Sequence, residues 1–284
     1  MTLTAAVTPA RVRRARLFRL PVTLIAGGII LLISLFLGIF PWLVAPYDPT
    51  AFDYNALLGP PSPAHLLGAD SFGRDVLSRV IYAYGLDLQI AVFATVPAFI
   101  VGSLVGALVG YAGNVVEAVF GRIVDAIITF PFLVLVIAIV AVLGPGLNNM
   151  YVAVFILDWV FYARLVSAEV RVQKRLDYAD AGRVMGYRPM RIILRHLLPN
   201  SISPAIVYLM TDMALAILLG SSLGYLGLGA QPPAAEWGVQ IADGKNFMNT
   251  AWWIGVFPGI AIVVTGLGFS LLGDGLAELL RTKK

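Results

Sequence analysis

Six stretches of this chain are long and apolar enough to cross a hydrocarbon layer, which takes about 20 residues of helix. They run over about residues 20–45, 88–111, 124–143, 147–166, 197–219 and 250–272. The third closes on the breaker run Gly144-Pro145-Gly146, and the fourth and fifth are interrupted by Asp158 and Asp212. Between the fourth and fifth lies a charged stretch, residues 167–196. Around it apolar positions still recur at helical spacing, at Leu165, Ala168, Val172, Leu176, Ala179 and Val184. Gly186 suits a left-handed C-cap. Arg188-Pro189 then opens a second helix, with Ile192, Ile193, Leu197 and Leu198 as its apolar stripe, and Pro199 marks the return to the apolar layer. The expectation is helix, sharp turn, helix: a docking knob for a soluble partner. Ahead of the second span, Asp70 is placed to cap a helix beginning near Ser71. Val76, Leu77, Val80, Ile81 and Tyr84 then share one face, as in an amphipathic helix lying on the membrane surface.

Composition supports an all-α integral membrane protein. The 284 residues are 59% hydrophobic and 13% charged, about half the charged fraction of a soluble domain, and the mean hydropathy is +0.86. The net charge of +4 does not point to nucleic acid, because the basic residues are segregated. Of 20 Lys and Arg, 17 fall before the first span, at Arg122, between Arg164 and Arg195, or after the last span; Arg74, Arg79 and Lys245 fall on the other side. The positive-inside rule then puts both termini and the knob in the cytosol. The first apolar run is too long for a signal peptide and no cleavage pattern follows it; Arg13-Arg14 reads as a cytoplasmic anchor within the basic segment 1–19. With no Cys, disulfides and thiolate metal sites are excluded, and two His are few for a metal centre. No internal repeat is evident.

The knob carries a recognisable pattern. Asp180-Ala181-Gly182-Arg183-Val184-Met185-Gly186, nine residues, then His196-Leu197-Leu198-Pro199 resembles the EAA motif of ABC importer permeases. It departs from that motif at Asp180, Gly182 and His196. Further stretches resemble the subfamily importing dipeptides, oligopeptides and nickel, in its C-type permease: His65-Leu66-Leu67-Gly68-Ala69-Asp70 with Gly73-Arg74-Asp75, Leu226-Gly227-Leu228-Gly229 through Pro233 with Glu236-Trp237-Gly238, and Trp252-Trp253 with Phe257-Pro258-Gly259 and Gly273-Asp274-Gly275. The resemblance covers about residues 20–280. It implies the type I ABC importer permease fold, with residues 20–284 as one transmembrane domain. It also implies a second homologous permease, two ATPase subunits that carry the ATP and Mg, and an extracytoplasmic solute-binding protein. Asp180, Ala181, Gly182, Met185, Gly186 and Tyr187 are then the ATPase-coupling residues. Short peptides are the first expectation for the solute; nickel, opine-like solutes, oligosaccharides and glutathione are alternatives.

Other residues keep two readings at this stage. Asp70, Arg74, Asp75, Glu236 and Trp237 form either a structural collar or a landing surface for the binding protein. Gly102, Gly106 and Gly110 let helices approach closely, within the subunit or across to the partner permease. Asp158 and Asp212 line a translocation path or pair structurally between helices; Asp125, near Arg122, reads as structural. No Walker A sequence occurs, Gly244-Lys245 lacking both the earlier Gly and the following Ser or Thr, and neither H-E-x-x-H nor C-x-x-C is present. A transport subunit that is not itself an enzyme is therefore expected. The competing classes are an intramembrane enzyme built on Asp158 and Asp212, which leaves the knob without a role, and a secondary transporter, which calls for related halves.

Overall fold

The computed structural model describes residues 20–281. The basic segment 1–19, the last three residues, and the expectation for the two termini fall outside the described residues. In chain order the elements are α1 (Val22–Ile39), a 3₁₀ turn (Pro41–Leu43), α2 (Val76–Ala112), α3 (Asn114–Ile128), α4 (Phe132–Leu143) and α5 (Leu147–Gln173). Then come α6 (Asp177–Val184), α7 (Pro189–Ile192), a π-helical turn (Ile193–Leu197), α8 (Leu198–Ser201), α9 (Ser203–Tyr225), α10 (Trp237–Gly244), a 3₁₀ turn (Lys245–Phe247) and α11 (Trp253–Arg281). Five of them, α1, α2, α5, α9 and α11, are each long and apolar enough to cross a membrane.

The third apolar stretch is not the single helix expected. It is split into α3 and α4, which meet at 82°. Pro131 explains the break: it offers no N–H and pushes Phe130 out of helical conformation. With 12 residues, α4 is about 18 Å long, short of a full crossing. α3 carries Glu117, Arg122 and Asp125 beside exposed Val115, Val116, Val119 and Ile123, the character of a helix at the membrane boundary. Asp125 lies 3.8 Å from Arg164 of α5 rather than pairing with its neighbour Arg122.

The helix expected from Ser71 also differs. Asp75, not Asp70, is the cap, accepting from the Ser78 N–H at 2.8 Å. The helix then continues unbroken for 37 residues as α2. Val76, Val80 and Ile81 are buried in protein, so they are core rather than the lipid-facing side of a surface helix. The helix read across Leu165–Val184 is likewise two pieces. α5 ends at Gln173, and Leu176 is extended (φ −87°, ψ 150°) before α6.

Helix α2 lies along α5, the most extensive helix pairing in the molecule. The three glycines make it possible: a Cβ on Gly102, Gly106 or Gly110 would collide with the backbone of Trp159, Ala163 or Ser167 respectively. The glycine stripe thus serves packing within the subunit. Lys174 closes the pair, its Nζ donating to the Gly110 carbonyl at 2.8 Å at the negative end of the α2 dipole. Helix α9 packs on α2 and α11, and α1 packs on α11.

If this contact sets the fold, Gly106→Leu should force α2 from α5 and lower stability by about 1–3 kcal/mol. A thermal unfolding scan of the detergent-purified protein checks it; an unchanged midpoint would show the contact to be slack.

Candidate functional site

Three regions gather the chemistry. At one end, α6, the turn after it and α7 form the knob. The chain reverses through Gly186, whose φ is +72°, a conformation that suits glycine. Gly186 N–H donates to the Arg183 carbonyl at 2.9 Å and Tyr187 N–H to the Gly182 carbonyl at 3.1 Å, the double closure of a Schellman motif. The Tyr187 ring is then clamped. His196 stacks on it at 5.8 Å and 10°, and the Arg191 guanidinium stands 4.2 Å from its centre. Asp180 pairs with Arg183, which in turn donates to the Lys174 carbonyl at the end of α5. At the tip Val184 is 88% and Met185 61% exposed, an apolar cap on a rigid turn. Gly182 is buried against Ile192 and Tyr187 with room for a methyl group, the nearest atom being 3.6 Å from a Cβ built there.

Midway along the helices, α5 and α9 each present an Asp and a Tyr four residues apart: Asp158 and Tyr162, Tyr208 and Asp212. That spacing places each pair on one helix face. Tyr162 OH donates to Asp212 Oδ2 at 2.6 Å. The Tyr162 and Tyr208 rings meet edge to face at 5.1 Å. The two carboxyls are buried and in hydrogen-bonding contact with each other. They lie at a cavity of about 440 Å³ with Phe132, Phe161 and Leu215 in its walls. The structure therefore brings together the two aspartates that the sequence placed on separate spans. Tyr162 and Tyr208 escaped the sequence reading, although a Tyr four residues from each intramembrane Asp was the available signal.

At the other end is a collar formed by residues 40–75 and α10. Here Asp70, Arg74, Asp75, Glu236 and Trp237 are all buried, none above 7% exposed. They cannot themselves be the landing surface offered as one reading; they are the collar's interior. Arg74 Nε reaches Asp70 at 2.6 Å and its Nη2 reaches Asp243 of α10 at 3.2 Å, while Arg79 lies 3.6 Å and 3.7 Å from the same two carboxylates. Two cations and two anions thus close a neutral network linking the collar to α2 and α10. His65 joins Asp75 at 2.9 Å. Glu236 caps α10, accepting from Gly238 and Val239 N–H at 2.7 and 2.8 Å, and touches the carboxyl of Asp87. Burial pushes the Glu236 carboxyl above the ordinary range, against the two N–H donors that favour its ionised form. No N–H of the described residues reaches Asp87 Oδ1. Trp237 locks the joint, its Nε1 donating to the Val80 carbonyl at 3.2 Å and its backbone N–H to Asp87 at 3.3 Å. Asp87 escaped the sequence reading because it sits one residue before the second apolar run.

Gly220-Ser221-Ser222-Leu223-Gly224 is a G-x-S-x-G match, contrary to the expectation that none occurs. It lies inside α9, where Ser222 donates to the Leu218 carbonyl at 2.7 Å. A nucleophile elbow needs a strand-to-helix turn, so the pattern carries no catalytic meaning here.

A bundle of apolar helices with a polar knob at one end, a tied collar at the other and a polar cavity between them defines a membrane transport subunit. Residues 102–284 match the family described as binding-protein-dependent transport system inner membrane component, and the chain belongs to that family. It is 40% identical to the probable D,D-dipeptide transport system permease protein DdpC of Escherichia coli (strain K12) over 263 residues, 93% of this chain and 88% of the relative. It is 39% identical to the di/tripeptide transport system permease protein DppC of Pseudomonas aeruginosa (strain UCBPP-PA14), covering 91% of this chain and 88% of that one. It is 37% identical to the glutathione transport system permease protein GsiD of Pectobacterium atrosepticum, covering 91% and 86%. The fold is similar to that of the MetNI methionine ABC transporter in an inward-facing conformation, with a TM-score of 0.56 at 16% identity over 73% of this chain and 97% of the other. The chain is a multi-pass inner-membrane permease subunit of an ABC importer, and membership implies an ATPase and a binding protein as partners.

The collar analysis makes a graded expectation. Glu236→Gln keeps an acceptor for the α10 cap and gives Asp87 an amide donor, so stability should change little. Glu236→Ala removes the cap and strands Asp87, and should cost about 1–3 kcal/mol. Thermal midpoints of the two variants in detergent provide the measurement, and equal losses would contradict the pairing.

Proposed function

We propose that this chain forms half of the translocation path of a short-peptide importer, paired with a homologous permease and driven by two ATPase subunits that bind ATP and Mg. The knob and both termini lie in the cytosol, and the collar faces outward toward the binding protein. The observation that carries this reading is the knob. Its turn is closed twice by backbone hydrogen bonds, its ring stack fixes the second helix, and yet its tip exposes Val184 and Met185. An apolar tip on a rigid turn suits insertion into a groove of a soluble partner. The peptide class is supported by the relatives named for dipeptides, tripeptides and glutathione. With the polar collar residues buried, the outer surface best suited to the binding protein is the aromatic patch of Phe52, Tyr54 and Phe72, all at least 50% exposed.

Coupling follows from connectivity. Helix α5 runs from Asp158 down to the knob, and α7, the π turn and α8 lead back into α9 and Asp212. A force that tilts the knob is therefore applied to both helices that line the cavity. Asp158 and Asp212 line the path in this reading.

Gly186→Val should disrupt the turn at a cost of about 1 kcal/mol or more while the spans still insert. The expected result is near-normal membrane level with loss of ATPase capture in pulldown and loss of peptide uptake. Gly182→Ala, by contrast, fits its space and favours helix by about 1 kcal/mol, so both activities should persist. Retention of both by Gly186→Val would refute the knob as the coupling element. Because the chain has no native Cys, Gly186→Cys reports sidedness; labelling by an impermeant reagent from outside intact cells would invert the proposed topology.

A further inference from the structure

The cavity between α4, α5 and α9 is chemically lopsided. Its polar groups include two carboxyls and a phenol, and no Lys, Arg or His among the described residues lines it. Asp158 is 3% exposed, and no donor among the described residues reaches its Oδ2. Asp212 is better served, since Tyr162 donates to it. Thr95, also in the wall, has its hydroxyl committed to the Ala91 carbonyl at 2.7 Å and is not the missing donor.

Two buried carboxyls in contact repel one another when ionised, and a cation placed between them favours their charged form. No Lys, Arg or His among the described residues supplies that cation. The ligand that suits these acceptors is a cation rich in donors. A divalent metal fits poorly, since hard cations take six or more oxygen ligands and no group of three or more His, Cys, Asp or Glu converges anywhere among the described residues. A primary ammonium fits well. It carries one charge and three N–H donors, enough for both Asp158 and Asp212 and for the Tyr208 hydroxyl. Phe161 and Tyr208 also line the cavity, and aromatic rings are a contact that cations favour.

We infer that this cavity is a subsite for a primary ammonium group, the protonated amino end of a peptide in transit. The inference rests on the peptide-importer reading above. The remaining walls are mostly apolar, so the group that the subsite recognises is the amino end.

The test uses the complete transporter, this chain with its partner permease and ATPases, in lipid nanodiscs without binding protein. Binding of radiolabelled Ala-Ala is compared with that of N-acetyl-Ala-Ala, which lacks the charge. Ala-Ala should bind about tenfold or more tightly than its acetylated form, the span expected of a charged hydrogen bond. Asp158→Asn and Asp212→Asn, close isosteres, should each abolish that preference while leaving the acetylated probe unaffected. Equal binding of the two probes by the wild type, no binding of Ala-Ala, or a preference that survives both substitutions overturns the subsite. Should either variant fail to assemble, the wild-type comparison still decides. Uptake of Ala-Ala by cells expressing the whole system separates the two ideas. Uptake without a probe preference defeats the subsite alone, whereas absence of uptake of any peptide defeats the importer reading.

Discussion

A carboxyl group taken from water into a bundle of apolar helices has to be given a proton, a cation or several donors. This chain meets that constraint by bringing acids together across helices. Asp158 meets Asp212 between α5 and α9, and Asp87 meets Glu236 between α2 and the cap of α10. Each pair is local to neither helix, so each fixes how two elements stand to one another. The donors recruited alongside, Tyr162 at the first pair and the α10 N-terminus at the second, are what keep the arrangement from being merely repulsive. Where the chain does place cations, at Arg74 and Arg79, it matches them with two carboxylates from the collar and from α10.

These contacts need close helices, and here the backbone matters more than the side chains. Without side chains at Gly102, Gly106 and Gly110, α2 can lie against the α5 backbone, where a strong interaction in lipid comes from packing and not from expelled water. The consequence is a stiff two-helix strut. One end of α2 sits in the collar, and the C-terminal end of α5 leads into the knob. From Asp158 to the end of α5 at Gln173 the rise is about 22 Å, so a small tilt at the knob becomes a displacement at the carboxyl pair. In the coupling proposed for the knob its rigidity matters, because a turn that flexed would absorb the motion before it reached the strut.

The long apolar runs, the Gly186 turn and the Pro189 start were legible in the sequence because each rests on local rules of hydropathy and backbone conformation. The misreadings have local causes too. Pro131 split a hydropathic run that a window average joins. Asp70 was read as the cap, whereas Asp75 is the residue that accepts from the Ser78 N–H. A few residues after Gln173 broke a helix whose spacing looked continuous. Long-range pairing was invisible. Arg74 finds Asp243 169 residues away and Trp253 Nε1 finds the Ala69 carbonyl across 184, so loop residues that looked solvent-facing are interior. Asp158 and Asp212 were visible as anomalies, but their contact was not, because nothing in either span states which face meets which.

The collar also divides the chain in an informative way. The family match begins at residue 102, after α1, residues 40–75 and the first two thirds of α2. The peptide-permease relatives nevertheless align over 91% or more of the chain, so most of that preceding region is shared with them. It is not an appendage. Trp253 donates to Ala69, Trp237 donates to Asp87, and Arg74 pairs with Asp243, and in each case one partner lies before residue 102 and one after it. A segment bound at three such points is held to α10 and α11, which pack around α9. The collar and the helices that pack around α9 are thus joined through hydrogen bonds already present in the single subunit.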